Sequence, residues 1–317
     1  MENKKTSIGG QALIEGIMMR GPEKTVMAVR KKDGSIDLSL REGGSFKNKY
    51  KFFKWPIVRG VVGFIESITV GYKAMMDSAE ISGYLEEEEQ ADKPSEKKEG
   101  ETKGLMTVIM IVATVLAVVL CIGLFIYIPS LAFKGVNYLC GGVLSPLQSL
   151  FEGILKILIF LAYMFAVSQM KDIKRVFRYH GAEHKTIFCY EAGLELTVEN
   201  VRKQGRFHPR CGTSFMILIL MVSILTTFVI DWLFPWLKTV LWLRTVIKLL
   251  LIPIVCGIGY ELIKLCGRHD NPITRIVAAP GLWIQRITVK EPDDSMIEVA
   301  IAAMKEVIPE NEDGDRW

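Results

Sequence analysis

Residues 105–133 contain no Asp, Glu, Lys or Arg, and neither do residues 212–230. A bilayer-crossing helix needs about 20 such residues, whereas the core helix of a soluble domain rarely runs that long without charge. The two runs exclude a wholly soluble chain. Segments near 150–170 and 240–261 complete four predicted spans, the first running from about 105 to 128. In the fourth, Arg244 and Lys248 stand four apart and are expected to snorkel to the interface, and Pro253 is expected to kink the helix.

The basic residues orient these spans. Residues 171–211, between the second and third, carry nine Lys/Arg, against Lys134 alone in 129–149 and Lys238 alone in 232–239. The positive-inside rule puts 171–211 in the cytoplasm, with both termini on the same side. A net charge of +4 over 317 residues is too small to suggest nucleic-acid binding. The six cysteines form no CxxC pair, so no disulfide framework is read. The first long apolar run begins at Leu105, and no signal peptide is expected ahead of it.

Residues 1–85 read as a small cytoplasmic β-rich unit followed by an amphipathic helix. Three strands are expected at 12–19, 25–30 and 36–41, the last two flanking the hairpin signal Lys32-Asp33-Gly34. From Pro56 to about Ile81 the apolar residues, among them Ile65, Ile68, Tyr72 and Met76, fall largely on one side of a helix. They are expected to face the membrane surface or the β unit. Residues 86–104 are a charged, disordered linker by composition. The membrane domain covers 105–261, with a His- and Cys-bearing loop at 171–211. Residues 262–317 form a cytoplasmic C-terminal segment in which Ala279–Ile284 suits an interfacial position and Met296–Ile308 an amphipathic helix. The tail from Pro309 is expected to be loose. The fold class is therefore an α-helical polytopic membrane protein with four transmembrane helices and a small β-rich N-terminal unit.

Three of the four histidines lie in the one cytoplasmic loop. His180 and His184 belong to an H-x-x-E-H pattern. Four residues are close to one helical turn, so both imidazoles project from one face and can converge on one Zn²⁺ or another divalent ion. Glu183 precedes the second histidine and is placed to act as general base on a metal-bound water. Glu191 is too far along a continuous helix to share an ion with His184. His208-Pro209-Arg210-Cys211 offers a His and a Cys on a rigid turn. If His208 and Cys211 both bind, the site is closed and structural; if one binds, a position stays open for catalysis. His269 is a further candidate that reads better as a surface turn residue.

Gly9-Gly10-Gln11-Ala12-Leu13-Ile14-Glu15-Gly16-Ile17-Met18-Met19-Arg20-Gly21, Tyr179-His180-Gly181-Ala182-Glu183-His184-Lys185, His208–Ser214 and Pro280-Gly281-Leu282-Trp283 together resemble the YqhQ-like membrane proteins. This is a bacterial family of unknown function often labelled as predicted metal-dependent enzymes. The resemblance covers nearly the whole chain. It implies a plasma-membrane location and a functional N-terminal segment, in which Gln11, Glu15 and Arg20 are polar residues suited to a site lining or a docking surface.

Two functions follow as expectations. The first is a membrane-anchored metal-dependent hydrolase, acting on a peptide or amide at the cytoplasmic face. His180, His184 and His208 or Cys211 would be ligands, Glu183 the base, and Arg20 or Arg210 the stabiliser of a developing oxyanion. The second is a non-catalytic scaffold or assembly factor in which the His/Cys cluster is a structural clip. Both have the lipid bilayer as a partner and leave open a protein or peptide partner and oligomerisation. A transporter is disfavoured because the predicted spans carry few ionisable groups near the midplane.

Overall fold

The computed structural model describes residues 5–42, 50–84, 99–269, 271–309 and 315. The chain divides into two compact units, one made of Met1–Glu88, Met164–Val222 and Pro253–Trp317, the other of Glu89–Tyr163 and Ser223–Ile252.

The first unit is built on a four-stranded antiparallel meander, β1 Gly9–Leu13, β2 Gly16–Arg20, β3 Lys24–Arg30 and β4 Ile36–Glu42, in that spatial order. The single strand expected at 12–19 is instead a hairpin, with Leu13 opposite Gly16 across a two-residue turn. Its apolar run hides the turn because Ile14 fills one corner and Glu15 the other, Glu15 at φ 51° in the left-handed region. Glu15 is held there by a bidentate ion pair to Arg175 and by the Tyr179 hydroxyl at 3.2 Å. Arg20 pairs with Glu66.

One sheet face presents Leu13, Met18, Met27 and Val29 to the helix α1, Val58–Ile81. The buried side of α1 is its small one: Gly60, Gly63, Gly71, Ala74, Ser78 and Ala79. The large residues Ile65, Ile68, Tyr72 and Met76 are exposed, so they do not pack on the sheet. Gln11 packs against Gly71, where a methyl group would collide with its amide.

The other sheet face carries Ile17, Met19, Val26 and Ala28 into the main core. There it meets two helices, Lys171–Glu191 and the C-terminal Asp294–Val307. The latter is capped by Asp293, whose side chain accepts from the Met296 N–H, and it buries Met296, Ile297, Ala300, Met304 and Val307. The amphipathic helix expected at Met296–Ile308 is present, and its apolar side lies in the main core. Beyond it, Asp315 is fully buried and bonded by Thr6, Ser7 and Tyr190, so at that residue the tail is anchored rather than loose. Helix Pro272–Thr288 opens on a capping box between Asn271 and Thr274 and leaves Ile273, Ile276 and Trp283 exposed.

We number the remaining helices in chain order: α2 Glu99–Ile122, α3 Ile128–Leu139, α4 Gln148–Val167, α5 Lys171–Glu191, α6 Val198–Arg202, α7 Gly212–Leu233, α8 Leu241–Leu250, α9 Ile252–Arg268, α10 Pro272–Thr288 and α11 Asp294–Val307. Most of the linker expected at 86–104 lies outside the described residues; from Glu99 the chain is helical. Among the described residues three helices are long and apolar enough to cross a membrane: Val112–Leu139, Ser145–Val167 and Gly212–Leu233. The bent pair α8–α9, broken at Leu251 beside Pro253, makes four if taken as one span. The first span runs on through a π-helical stretch at Gly123–Tyr127, so most of the loop expected at 129–149 is helix. Only 6% of the first span's most apolar window is buried by protein, which leaves valine and leucine side chains facing outward. Such a surface is unfavourable in water and favourable in hydrocarbon.

The second unit holds a group of charges, of which sequence reading places two, Arg244 and Lys248, at the membrane interface. Arg244 does not snorkel; it is 2% exposed. Its guanidinium donates to Glu152 Oε1 at 2.6 Å, to Asp231 Oδ1 at 3.0 Å and also to Asp231 Oδ2. Ser130 and Gln148 add donors to Glu152, Ser149 adds one to Asp231, and Lys248 sits 3.3 Å from Glu152 Oε2. Lys156, one turn beyond Glu152 on α4, is buried as well.

Candidate metal centre

Helix α5 carries the whole H-x-x-E-H pattern. Its first half is exposed, and from Tyr179 to Cys189 it is almost continuously buried. Gly181 permits this burial. The segment after α10 crosses α5 so closely that a Cβ at Gly181 would overlap the Lys290 carbonyl oxygen, and Lys290 N–H donates to Phe177 O at 2.9 Å. That crossing presses α5 against β1 and orients the histidines.

His180 Nδ1 lies 3.0 Å from the Thr288 carbonyl and His184 Nδ1 lies 2.6 Å from the Arg206 carbonyl. A carbonyl only accepts, so both rings carry a proton on Nδ1, which leaves Nε2 as the atom turned toward the cluster. This is the outer-shell arrangement that fixes metal-ligating imidazoles. His180 Nε2 is 3.1 Å from Cys211 Sγ. Ligand atoms of His180, His184 and Cys211 all lie within 4.8 Å of one another. Burial opposes the charged imidazolium of His180, yet the neighbouring Cys211 thiolate outweighs it and, with Glu183, raises the ring to about 9. Burial would likewise raise Cys211, but His180 and His184 hold it well below an ordinary thiol. A thiolate is the form that binds metals.

His208 does not join this group. Its ring is 5.5 Å from that of His184, centroid to centroid, but its polar atoms look elsewhere. Nδ1 accepts from the Arg210 N–H at 3.3 Å, and Nε2 lies 3.2 Å from the Arg210 guanidinium and 3.8 Å from Glu191. Burial keeps His208 below its ordinary value. Glu191, at the C-terminal end of α5, is one rise too far for the cluster, as its spacing predicts. It serves as the anchor of the turn, pairing with Arg210 and accepting from the Thr6 N–H at 2.8 Å. Gln285 of α10 completes the turn, accepting from the His208 N–H and donating to its carbonyl, both at 2.7 Å.

Glu183 is buried against β1, its carboxyl carbon 2.9 Å from where a Cβ on Gly10 would stand. Among the described residues its Oε2 has no hydrogen-bond partner. Burial raises its pKa, and His180 and His184 only partly offset that. A buried unpaired carboxylate oxygen costs about 1–3 kcal/mol, and a water or ion in the adjoining space would remove that cost. The space exists as a cleft of about 420 Å³ lined by Gly9–Ala12, the α5 residues His180, Glu183 and His184, and the turn residues His208, Arg210 and Cys211. Three nitrogen and sulfur donors, two with fixed tautomers, beside an orphaned carboxylate oxygen fit a divalent ion of the zinc type.

Of the expected site residues, the fold brings together His180, His184, Cys211 and Glu183. Arg210 lines the cleft, but its guanidinium is engaged by Glu191, His208 and the Thr6 carbonyl. Arg20 is not among the cleft residues; Glu66 of α1 holds it instead. His269 is an exposed residue just beyond α9. Sequence reading misses Gln285, Thr288 and Arg206, which act through side-chain amide or backbone carbonyl and leave no spacing signal.

Comparison with known proteins agrees with this assembly of motifs. Residues 55–310 match the family described as Protein of unknown function (DUF1385). The chain is 36% identical over 310 residues to the Uncharacterized protein YqhQ of Bacillus subtilis (strain 168), an alignment covering 95% of this chain and 92% of that protein. No solved structure matches it. The chain belongs to the YqhQ-like, DUF1385 family.

Proposed function

We propose that this protein is a membrane-anchored, metal-dependent hydrolase whose site works at the cytoplasmic face of the cell membrane, with both termini on that side. The observation that carries the reading is the grouping of His180, His184 and Cys211 around an open cleft beside the unpartnered Oε2 of Glu183. If His180, His184 and Cys211 held a divalent ion, these three donors would leave room for a water beside it. His208, the donor that would close the site into a structural clip, is held by Arg210 and Glu191.

A divalent ion held by His180, His184 and Cys211 would supply a polarised water of lowered pKa. The chain does the rest. The Thr288 and Arg206 carbonyls keep the two imidazoles in the ligating tautomer. Glu183 would accept a proton at Oε2, and burial, which raises its pKa above that of an ordinary carboxylate, favours that uptake. Arg210 is a positioning residue that ties the N-terminal strand and the His208–Cys211 turn to α5.

Metal analysis of the detergent-purified protein is the first test. About one divalent ion per chain is expected, lost in His180→Ala and in Cys211→Ser and retained in His208→Ala. No stoichiometric metal in the wild type would end the hydrolase reading. Metal lost equally in His208→Ala would favour a closed clip and a scaffold.

A further inference from the structure

The cleft is bounded on one side by a sheet edge. β1 is the first strand of the meander and, among the described residues, no strand pairs with its outer side. The register with β2 fixes which groups point outward. Leu13 and Gly16 close the two-residue hairpin, so the pairs Leu13–Gly16, Gln11–Met18 and Gly9–Arg20 exchange the ladder hydrogen bonds. The intervening residues, Gly10 and Ala12, direct their N–H and C=O away from β2. The Gly10 N–H faces the Glu183 carboxylate. The Gly10 carbonyl and both backbone groups of Ala12 make no hydrogen bond to other elements among the described residues. Gly9, Gly10, Gln11 and Ala12 all line the cleft.

Outward backbone groups two residues apart repeat at roughly 6.8 Å. That period matches the backbone of an extended peptide, which can add to an open edge as a further strand. Most edges of this kind are blunted by charge or proline. This one carries no side chain at Gly9 or Gly10: a Cβ on Gly9 would touch nothing within 4 Å, while at Gly10 the Glu183 carboxyl stands 2.9 Å from where a Cβ would be. The absence of side chains lets another backbone approach closely. A chain laid along it runs past Glu183, His180 and Cys211, with Phe177 and Met216 as the apolar walls.

We infer that the substrate of this site is an extended peptide segment that binds by pairing with the outer edge of β1. The inference rests on the hydrolase reading for the fate of the peptide, but not for its binding.

The test uses the full-length, zinc-loaded Glu183→Gln protein, which holds a peptide without turning it over. Degenerate fluorescein-labelled octapeptides are scanned by fluorescence polarisation, and the tightest pool is resynthesised with one backbone N-methyl group at each position in turn. Strand pairing predicts that affinity falls tenfold or more at every second position and changes little at those between. A second variant, Ala12→Pro, removes an outward N–H without touching the β2 ladder. It should weaken the unmethylated peptide by at least tenfold with thermal unfolding unchanged. Failure of every pool to bind, or losses with no two-residue alternation, would overturn the proposal. Binding with alternation but no cleavage by the wild-type protein would instead retire the hydrolase and keep the peptide site.

Discussion

In the helical unit, Glu152, Asp231 and Arg244 are each at most 2% exposed, and every carboxylate oxygen of the pair has a donor. In the sheet-centred unit, Glu183 is also buried, yet among the described residues its Oε2 has no partner, and a cleft opens beside it. Both clusters carry the cost of desolvating charge. The first recovers it through internal pairing and has nothing left to offer a ligand. The second stays incomplete, and an incomplete buried polar group in a native protein calls for an explanation. A fully paired cluster reads as a structural clasp, and a buried carboxylate oxygen without a donor beside a cleft reads as a candidate site.

The sharpest way to break that contrast is Arg244→Ala. It would strand two carboxylates in a low-dielectric environment and should cost about 3–5 kcal/mol, seen as collapse of the thermal transition in detergent. Replacing all three groups together, as Glu152→Gln, Asp231→Asn and Arg244→Met, should restore most of that loss. A clasp with a hidden ligand would not be rescued this way.

Glu183→Gln should have the opposite profile. Turnover of the cleaved peptide should fall by roughly 10²–10⁴ while zinc content is kept. Equal turnover in the variant would remove Glu183 from the chemistry.

Gly181→Ala probes the crossing that orients α5. A methyl group there collides with the Lys290 carbonyl, and overpacking of this kind costs about 1–3 kcal/mol. Unfolding should occur at lower temperature and zinc affinity should weaken together with it.

The smallest effect is a pH dependence. The folded-state pKa of Glu183 is raised by burial. Its contribution to stability is full below the unfolded value and is lost as pH rises through the folded one. In metal-free protein, Glu183→Gln should therefore match the wild type at acid pH and become the more stable of the two as pH rises. A gap that narrows instead would mean the carboxylate is paired after all.

Much of this protein is legible without coordinates because its strongest signals are local. Charge-free runs mark the apolar helices, and the four-residue spacing of His180 and His184 marks one helical face. Turns and faces are less legible. The hairpin at Leu13–Gly16 looks like one strand because its corner residues are Ile and Glu rather than Asn and Gly. The buried side of α1 is hidden because close packing selects glycine and alanine, which carry no hydrophobic weight. Arg244 looks like a snorkelling residue because its partners, Glu152 and Asp231, lie far off in sequence.

The candidate site divides the same way. Composition and spacing alone determined that this chain carries helices long and apolar enough to cross a membrane, that three of its four histidines fall within residues 180–208, and that Glu183 stands beside His184. Only the tertiary structure groups Cys211 rather than His208 with His180 and His184, because that placement depends on where Arg210 and Glu191 pull the turn. It also moved Arg20 to Glu66 and brought the bare edge of β1 to the histidines. Periodicity records what one element does to its own neighbours. Which donors converge, and which oxygen is left unpaired, depends on contacts between residues far apart in the chain, and those leave no periodic trace.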